Sequence, residues 1–454
     1  VPAEDGRADA GMPERSAAAA WRRRADAPGV YLLLLGCVAV YGRSLAFSPA
    51  DADDLILLSR VAGESNPLAF FISDWGLGNN CYRPLHTALL WLTYRAAGAW
   101  AAPHQLLNLA LHLSVAVLLY DTVRRHADGA IGLLAAGLAL VSIYTLSPAS
   151  WVSDRPTLIV ALCLLLLLRH LDRSERLDGG YLAGLSAAAL LGKESGILVP
   201  GLAAAAVLTR TRRDGQLRTL VPIGLVLLGY AGIRALAFGL RSASYSENGY
   251  LVGLIPYDEL SLLPAPLQVA AAVENAAKSA LAVVAPLFTS EGRLITDQRL
   301  LIVLPHAAVT AALVAMSSRR PLTRLQRHAL LIVVLNALVH LAVFRYRTLY
   351  LAQLAVCVYV AAAAAPEPGR RRRNAVAALA LLLGVVRVDA ILSAEQLARR
   401  RAVETRSGPL DGSDPRIDRA VVDEVIRLYG PRERTQEPPD RSAPGGGAAR
   451  QDPP

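Results

Sequence analysis

Apolar residues in this chain come in blocks separated by short arginine-rich connectors. The blocks are roughly 17–20 residues long, the length a helix rising 1.5 Å per residue needs to cross a hydrocarbon core. They predict membrane-crossing helices at 30–47, 103–120, 130–147, 156–170, 181–192, 196–209, 219–238, 300–316, 329–344, 348–365 and 375–392, about eleven spans by the length criterion. A further apolar stretch, 266–288, is long enough to be a twelfth but contains Glu274 and Lys278. Arginine placement argues against letting it cross. With 266–288 kept interfacial or re-entrant, Arg124/Arg125, Arg169/Arg173/Arg176, Arg210/Arg212/Arg213/Arg218, Arg319/Arg320/Arg324/Arg327 and Arg370 to Arg373 all fall on the inner side, as the positive-inside bias requires. One exception remains: Arg399 to Arg401 then lie outside.

The fold class expected is therefore all-α, a polytopic transmembrane bundle. A cytoplasmic segment, 1–29, precedes a transmembrane domain, 30–392, and a tail, 393–454. The arginines at 22–24 ahead of the apolar run 30–40 read as an uncleaved signal anchor, since more spans follow. Two external loops are long, 48–102 and 239–299, and long connectors in compact proteins are usually functional or disordered. The first has the aromatic and apolar content to fold onto the membrane, with an interfacial helix over 82–94 begun by Pro84. The tail ends in a Pro/Gly/charged stretch that cannot bury a core and is expected to be largely disordered after 434.

Composition agrees with this picture. At 54% hydrophobic residues and a mean hydropathy of +0.36, the chain is too apolar for a soluble domain of its length. The net charge of +10 is spread through connectors rather than gathered on one face with interleaved aromatics, which argues against nucleic acid as a partner. Cys37, Cys163 and Cys357 lie in apolar blocks, so neither a disulfide framework nor a zinc spacing follows.

Some polar residues need a reason to be where they are. Asp51, Asp53 and Asp54 follow the first span directly, and carboxylates at that depth need a partner or water. An N-cap for a helix over 55–61 would use one of them, not three. On the external side, where basic residues are disfavoured, stand Arg83, Arg155, Lys193, Arg345 and Arg347, with Asp154, Glu194 and Tyr346 beside them. Each cation alone could snorkel to lipid phosphates. As a set near three carboxylates they suggest a site for an anionic lipid headgroup. His86, His104 and His112 lie in or near the first loop and second span, and His104, Asn108 and His112 share one helical face. A divalent metal is conceivable there, but interhelical hydrogen bonding is the commoner use of such residues, and no metal or other cofactor is assigned.

The order of motifs, Asp53-Asp54 after the first span, then YRPLHTALLWLTYRAAG, HQLLNLALH, SPASWVSDRPTL, LLGKESGILVP and RYRTLYL, resembles the GT-C superfamily of membrane glycosyltransferases. The nearest likeness, over about residues 30–365, is to enzymes related to the O-mannosyltransferases that carry tetratricopeptide repeats. The resemblance implies a GT-C-like fold and transfer of a sugar from a polyprenyl-phosphate donor to an external acceptor hydroxyl, typically with inversion. It implies Asp53 or Asp54 as general base, and Lys193 with Arg345 or Arg347 at the leaving phosphate, where Arg83 would join them. Asp51, His86, Asp154, Arg155, Glu194 and Tyr346 would support this set. The partners expected are the lipid-linked donor, an acceptor glycan, lipid or protein, and membrane lipid. The location implied is the periplasmic face of a bacterial plasma membrane, in a cell-envelope pathway. Two departures stand out: the hairpin reads Ser-Asp-Arg-Pro where relatives have Gly-Arg-Ala-Asp, and 393–454 shows no 34-residue repeat. A lipid-linked-glycan flippase or other transporter is the main alternative, though transporters usually show repeated halves and charges at mid-bilayer. A non-catalytic assembly subunit would not need the acid and cation set.

Overall fold

The structure is a computed structural model that describes residues 28–49, 51–78, 80–210, 213–239, 251–252, 255–256, 264–284, 287, 300–317, 322–341, 346–362, 370–411 and 413–430. It is mostly helical. In chain order the helices are α1 (Pro28–Ala46), α2 (Ala52–Ala62), α3 (Pro84–Ala97), α4 (Ala101–Arg124), α5 (Gly129–Leu140), α6 (Arg155–Arg173), α7 (Gly179–Gly192) and α8 (Leu198–Arg210). They continue with α9 (Arg213–Phe238), α10 (Ala265–Val284), α11 (Leu300–Ser317), α12 (Arg324–Val339), α13 (Tyr350–Ala362), α14 (Arg370–Thr405) and α15 (Arg419–Tyr429). Among the described residues the only sheet is a two-residue ladder of Leu251–Val252 on Ile255–Pro256.

Among the described residues, three helices are long and apolar enough to cross a membrane: α1, α4 and, within α9, Gly215–Phe238. Helix α9 presents Leu217, Val221, Leu225, Leu228, Ile233 and Leu236 outward, the surface of a helix whose surroundings are apolar. The chain marks helix starts locally. The carboxylates of Asp51, Asp128, Asp178 and Asp418 each accept an amide from the first turn of α2, α5, α7 and α15, and Thr323 with Gln326 forms a capping box on α12. Pro84 and Pro156 sit in the first turns of α3 and α6, where no amide hydrogen is needed.

The main core joins α4, α5, α6, α8, α12 and α13, with Leu119, Leu158, Leu164, Leu202 and Val358 buried in it. A second core lies at the end of the bundle where α4 begins. It comprises Leu55 to Leu58 of α2, Phe70, Trp75 and Leu90, together with Val403 of α14, Leu410, Ile417, and Val421, Val422 and Val425 of α15. The segment expected as a tail from 393 thus includes a helical part that packs on the first loop. Each buried valine there contributes on the order of 1.5 kcal/mol or more. The stretch after 434, where disorder was expected, lies outside the described residues, as do 1–27 and most of 239–299.

Two of the arginine-rich connectors meet at the opposite end. Asp121 takes Arg124, Arg125 and Arg169 at 2.7–3.1 Å, with Arg173 at 3.6 Å. The 24 residues of α4, at about 1.5 Å each, separate that cluster from the first loop by roughly 36 Å. Helix α10, the doubtful twelfth span, is tied down at two points: Asn275 donates to the Leu341 carbonyl (3.0 Å), and the Tyr144 hydroxyl donates to the Ala282 carbonyl.

Two glycines test this packing. A Cβ on Gly196 would lie 2.1 Å from the Ala189 carbonyl oxygen, whereas one on Gly184, exposed in mid-helix, meets nothing within 4 Å. Gly196→Ala is expected to destabilise by about 1–3 kcal/mol or more. Gly184→Ala is expected to stabilise by about 0.5–1 kcal/mol. Thermal unfolding of both variants in detergent measures the difference; equal effects would contradict the close contact at Gly196.

Candidate active site

The acidic segment meets two other parts of the chain at the loop end of the bundle. Asp51 caps α2 by accepting the Asp53 amide at 3.1 Å, so one carboxylate does serve the capping role. Asp53 sits half-buried in the first turn. Asp54 faces inward and is 1% exposed. Its Oδ1 accepts the Ser153 amide at 2.9 Å, while Oδ2 has no hydrogen bond and lies 3.7 Å from Nη1 of Arg399.

The hairpin that supplies Ser153 also carries Asp154 and Arg155. Asp154 binds Lys193 Nζ (3.1 Å), the Thr157 hydroxyl (2.6 Å) and the Ser147 hydroxyl (2.8 Å). Lys193 donates to Thr157 as well, at 2.6 Å. Arg155 is fully buried. Its Nε donates to Asn108 Oδ1 (2.6 Å) and its Nη2 to the His104 carbonyl (3.0 Å), while Nη1 has no partner. Among the described residues Arg155 makes no ion pair, and Asp54 lies within its electrostatic reach. The helix face carrying His104, Gln105 and Asn108 holds the hairpin: Gln105 donates to the Ser150 carbonyl (2.7 Å), Asn108 to the Trp151 carbonyl (2.8 Å), and His104 pairs with the Gly98 carbonyl (2.9 Å). These three side chains hydrogen-bond backbone carbonyls of neighbouring loop segments. His112 stands two turns away, against the rings of Tyr41 and Tyr350.

Arg83 and Glu194 close another side. Arg83 Nε donates to Glu194 Oε2 (3.0 Å), its guanidinium lies over the Trp75 ring at 3.8 Å, and Glu194 Oε1 accepts the Tyr82 amide (2.8 Å). Burial opposes ionisation of Glu194, but Arg83 and these hydrogen bonds outweigh it and hold its carboxyl below the usual range. His86 is fully buried, with neither ring nitrogen hydrogen-bonded. Burial first, then the nearby charges of Arg155, Arg83 and Lys193, keep it neutral, well below its ordinary pKa. A neutral histidine among three cations leaves the positive charge of this region to the arginines and the lysine.

Of the expected phosphate ligands, Arg83 and Lys193 are each answered by a carboxylate, whereas Arg155, expected only to support them, holds the buried charge without one. Arg345 lies outside the described residues, as do the side chains of Tyr346 and Arg347. The backbone turn Tyr346–Leu349 is fixed against α12 by Asn336, which donates to the Thr348 carbonyl at 2.9 Å. His340, at the end of α12, is within electrostatic reach of Lys193. Among the described residues, no three His, Cys, Asp or Glu side chains gather to hold a metal ion.

Sequence reasoning passed over Glu395 and Arg399. Arg399 donates to Glu395 Oε1 through Nε (3.1 Å) and Nη2 (2.8 Å), and to the Ser48 carbonyl through Nη1 (2.9 Å). Glu395 Oε1 also accepts the Trp151 indole N–H at 2.8 Å. The available signal was the exception to the positive-inside pattern at 399–401. Burial alone would weaken the charge on Arg399, but Glu395, Asp54 and Asp51 together hold its pKa above the ordinary value.

Compared with known proteins, the chain matches no family model, no curated protein and no solved structure.

Two predictions follow from this geometry. Asp154→Asn leaves Lys193 buried without its carboxylate, and Lys193→Met leaves the converse; each is expected to lose on the order of 3–5 kcal/mol. The double variant should lose less than the sum, measured by a thermal-unfolding cycle; strict additivity would mean the two ions do not depend on each other. The second concerns Asp51, whose pKa is pushed up to about 7 by burial first and then by Asp54, against the pull of Arg399. Because folding raises this pKa, stability from the protonated form is intact at low pH and is lost as pH rises towards 7. Asp51→Asn can still cap the helix but does not titrate. Relative to wild type it should gain stability between pH 4 and pH 7; a constant difference across that range would refute the shift.

Proposed function

We propose that the protein is an integral-membrane glycosyltransferase that moves a sugar from a polyprenyl-phosphate donor to an acceptor hydroxyl, with a GT-C-like arrangement of about eleven spans. The reading places its active site at the periplasmic face of a bacterial plasma membrane. The observation that supports it best is the meeting of Asp54 with the hairpin holding Arg155: among the described residues, a buried carboxylate with one oxygen free of hydrogen bonds, within electrostatic reach of a buried cation that makes no ion pair.

In this reading Asp54, or Asp53 beside it, takes the proton from the acceptor hydroxyl as its oxygen bonds to the anomeric carbon. The bond from that carbon to the phosphate oxygen breaks on the opposite side, giving inversion and releasing polyprenyl phosphate. Negative charge grows on the leaving phosphate, so preplaced cations stabilise the transition state more than the ground state. Arg155 has spare charge for this. Arg83 and Lys193, already answered by Glu194 and Asp154, contribute to a smaller degree and fix the walls of the site. A single displacement needs one carboxylate base and room for the acceptor, not a second carboxylate nucleophile.

The test is to incubate purified protein with labelled polyprenyl-phosphate sugars and an acceptor panel of glycans, lipids and peptides. Release of polyprenyl phosphate is expected, with Asp54→Asn slowing it by about 10²–10⁴-fold and Arg155→Met by about 10²–10³-fold. Donor carried across proteoliposome membranes intact, with no phosphate release, would replace this reading with transport.

A further inference from the structure

We propose that Arg399 is a positioning residue for the Asp54 carboxylate, so that the C-terminal arm formed by the end of α14 and by α15 is a working wall of the acidic site. This inference rests on the reading of Asp54 as the base.

A buried base has two needs that conflict. Its charge must be answered, or burial will neutralise it. Yet the oxygen that receives the proton must not already be engaged by a strong donor. Asp54 meets both. Oδ1 is held by the Ser153 amide, and Oδ2 faces Nη1 of Arg399 at 3.7 Å, close enough for charge and too long for a hydrogen bond.

The distance is maintained because Arg399 is held from other directions. Nε and Nη2 are engaged by Glu395 Oε1, Nη1 by the Ser48 carbonyl, and the guanidinium lies 5.5 Å from the centre of the Phe47 ring. It is therefore not free to swing onto Oδ2. Glu395 in turn accepts the Trp151 indole, two residues before the Ser153 amide. One network thus governs both oxygens of Asp54: through Trp151 and Ser153 on one side, and through Glu395 and Arg399 on the other. Behind it, Val403, Leu410, Ile417, Val421, Val422 and Val425 anchor the arm to the first-loop core.

Two kinds of variant separate positioning from mere support. Arg399→Met removes the charge opposite Oδ2; kcat should fall by about tenfold or more with the donor KM little changed, and Arg399→Lys should recover part of the loss. Glu395→Gln keeps Arg399 but loosens it, so the guanidinium can close on Oδ2. Here kcat should fall while the unfolding temperature is held or raised, an outcome that a purely structural role does not give. A thermal-unfolding cycle over Asp54→Asn and Arg399→Met reads the pairing without any activity, and the double variant should lose less than the sum of the singles. Additive losses would overturn the proposal whether or not transfer is seen, as would full kcat in Glu395→Gln. If wild type released no polyprenyl phosphate while the cycle still showed coupling, the glycosyltransferase reading would fall and the placement of Asp54 by Arg399 would stand.

Discussion

A carboxylate taken out of water costs several kcal/mol unless something answers it, and Asp54 is answered from two distant parts of the chain. The Ser153 amide comes from the turn between α5 and α6, and the Arg399 guanidinium from the far end of α14. Much of the loop end of the bundle is organised to deliver these two groups. The hairpin around Ser153 is held by Gln105 and Asn108 on α4, and Arg399 is held by Glu395. Removing any one of these supports would leave a buried ion or amide to find a new partner.

The same logic distributes charge across the site. Glu194 with Arg83, Asp154 with Lys193 and Glu395 with Arg399 are matched, so each is a wall more than a reagent. Among the described residues of the site, Arg155 makes no ion pair, and Asp54 faces Arg399 at 3.7 Å with no hydrogen bond at Oδ2. Matched pairs in low dielectric hold geometry well and contribute modestly to net stability. Unmatched groups carry the electrostatic potential that a charged substrate would meet. His86, kept neutral amid the cations, adds to neither sign.

Much of this arrangement was legible in the sequence. The apolar blocks marked the helices because helical length and bilayer thickness share one scale, and α6, α8, α9, α12 and α13 fall within a few residues of where the blocks lie. Asp51 as a cap followed from local chemistry, since a capping carboxylate and its amide are two residues apart. The site was legible as a set of anomalous charges but not as pairs. Arg83 finds Glu194 111 residues away, and Arg399 finds the Ser48 carbonyl 351 residues away; no periodicity records such distances. The C-terminal arm was hidden for a different reason. Val421, Val422 and Val425 belong to a short amphipathic helix in a charged stretch, and the apolar face of the first loop gives that helix something to bury.

The separation of Ser48 from Arg399 also sets an order of events during synthesis. A ribosome adding about 5–20 residues per second would take on the order of 20–70 s to pass from one to the other. Through that interval the acidic segment has its carboxylates hydrated and its apolar helix α2 lacks its cover. Charge burial at Asp54 therefore comes among the last acts of folding, and a chain stalled before α14 would have α1, α4 and α9 already made while its acidic segment remained open to water.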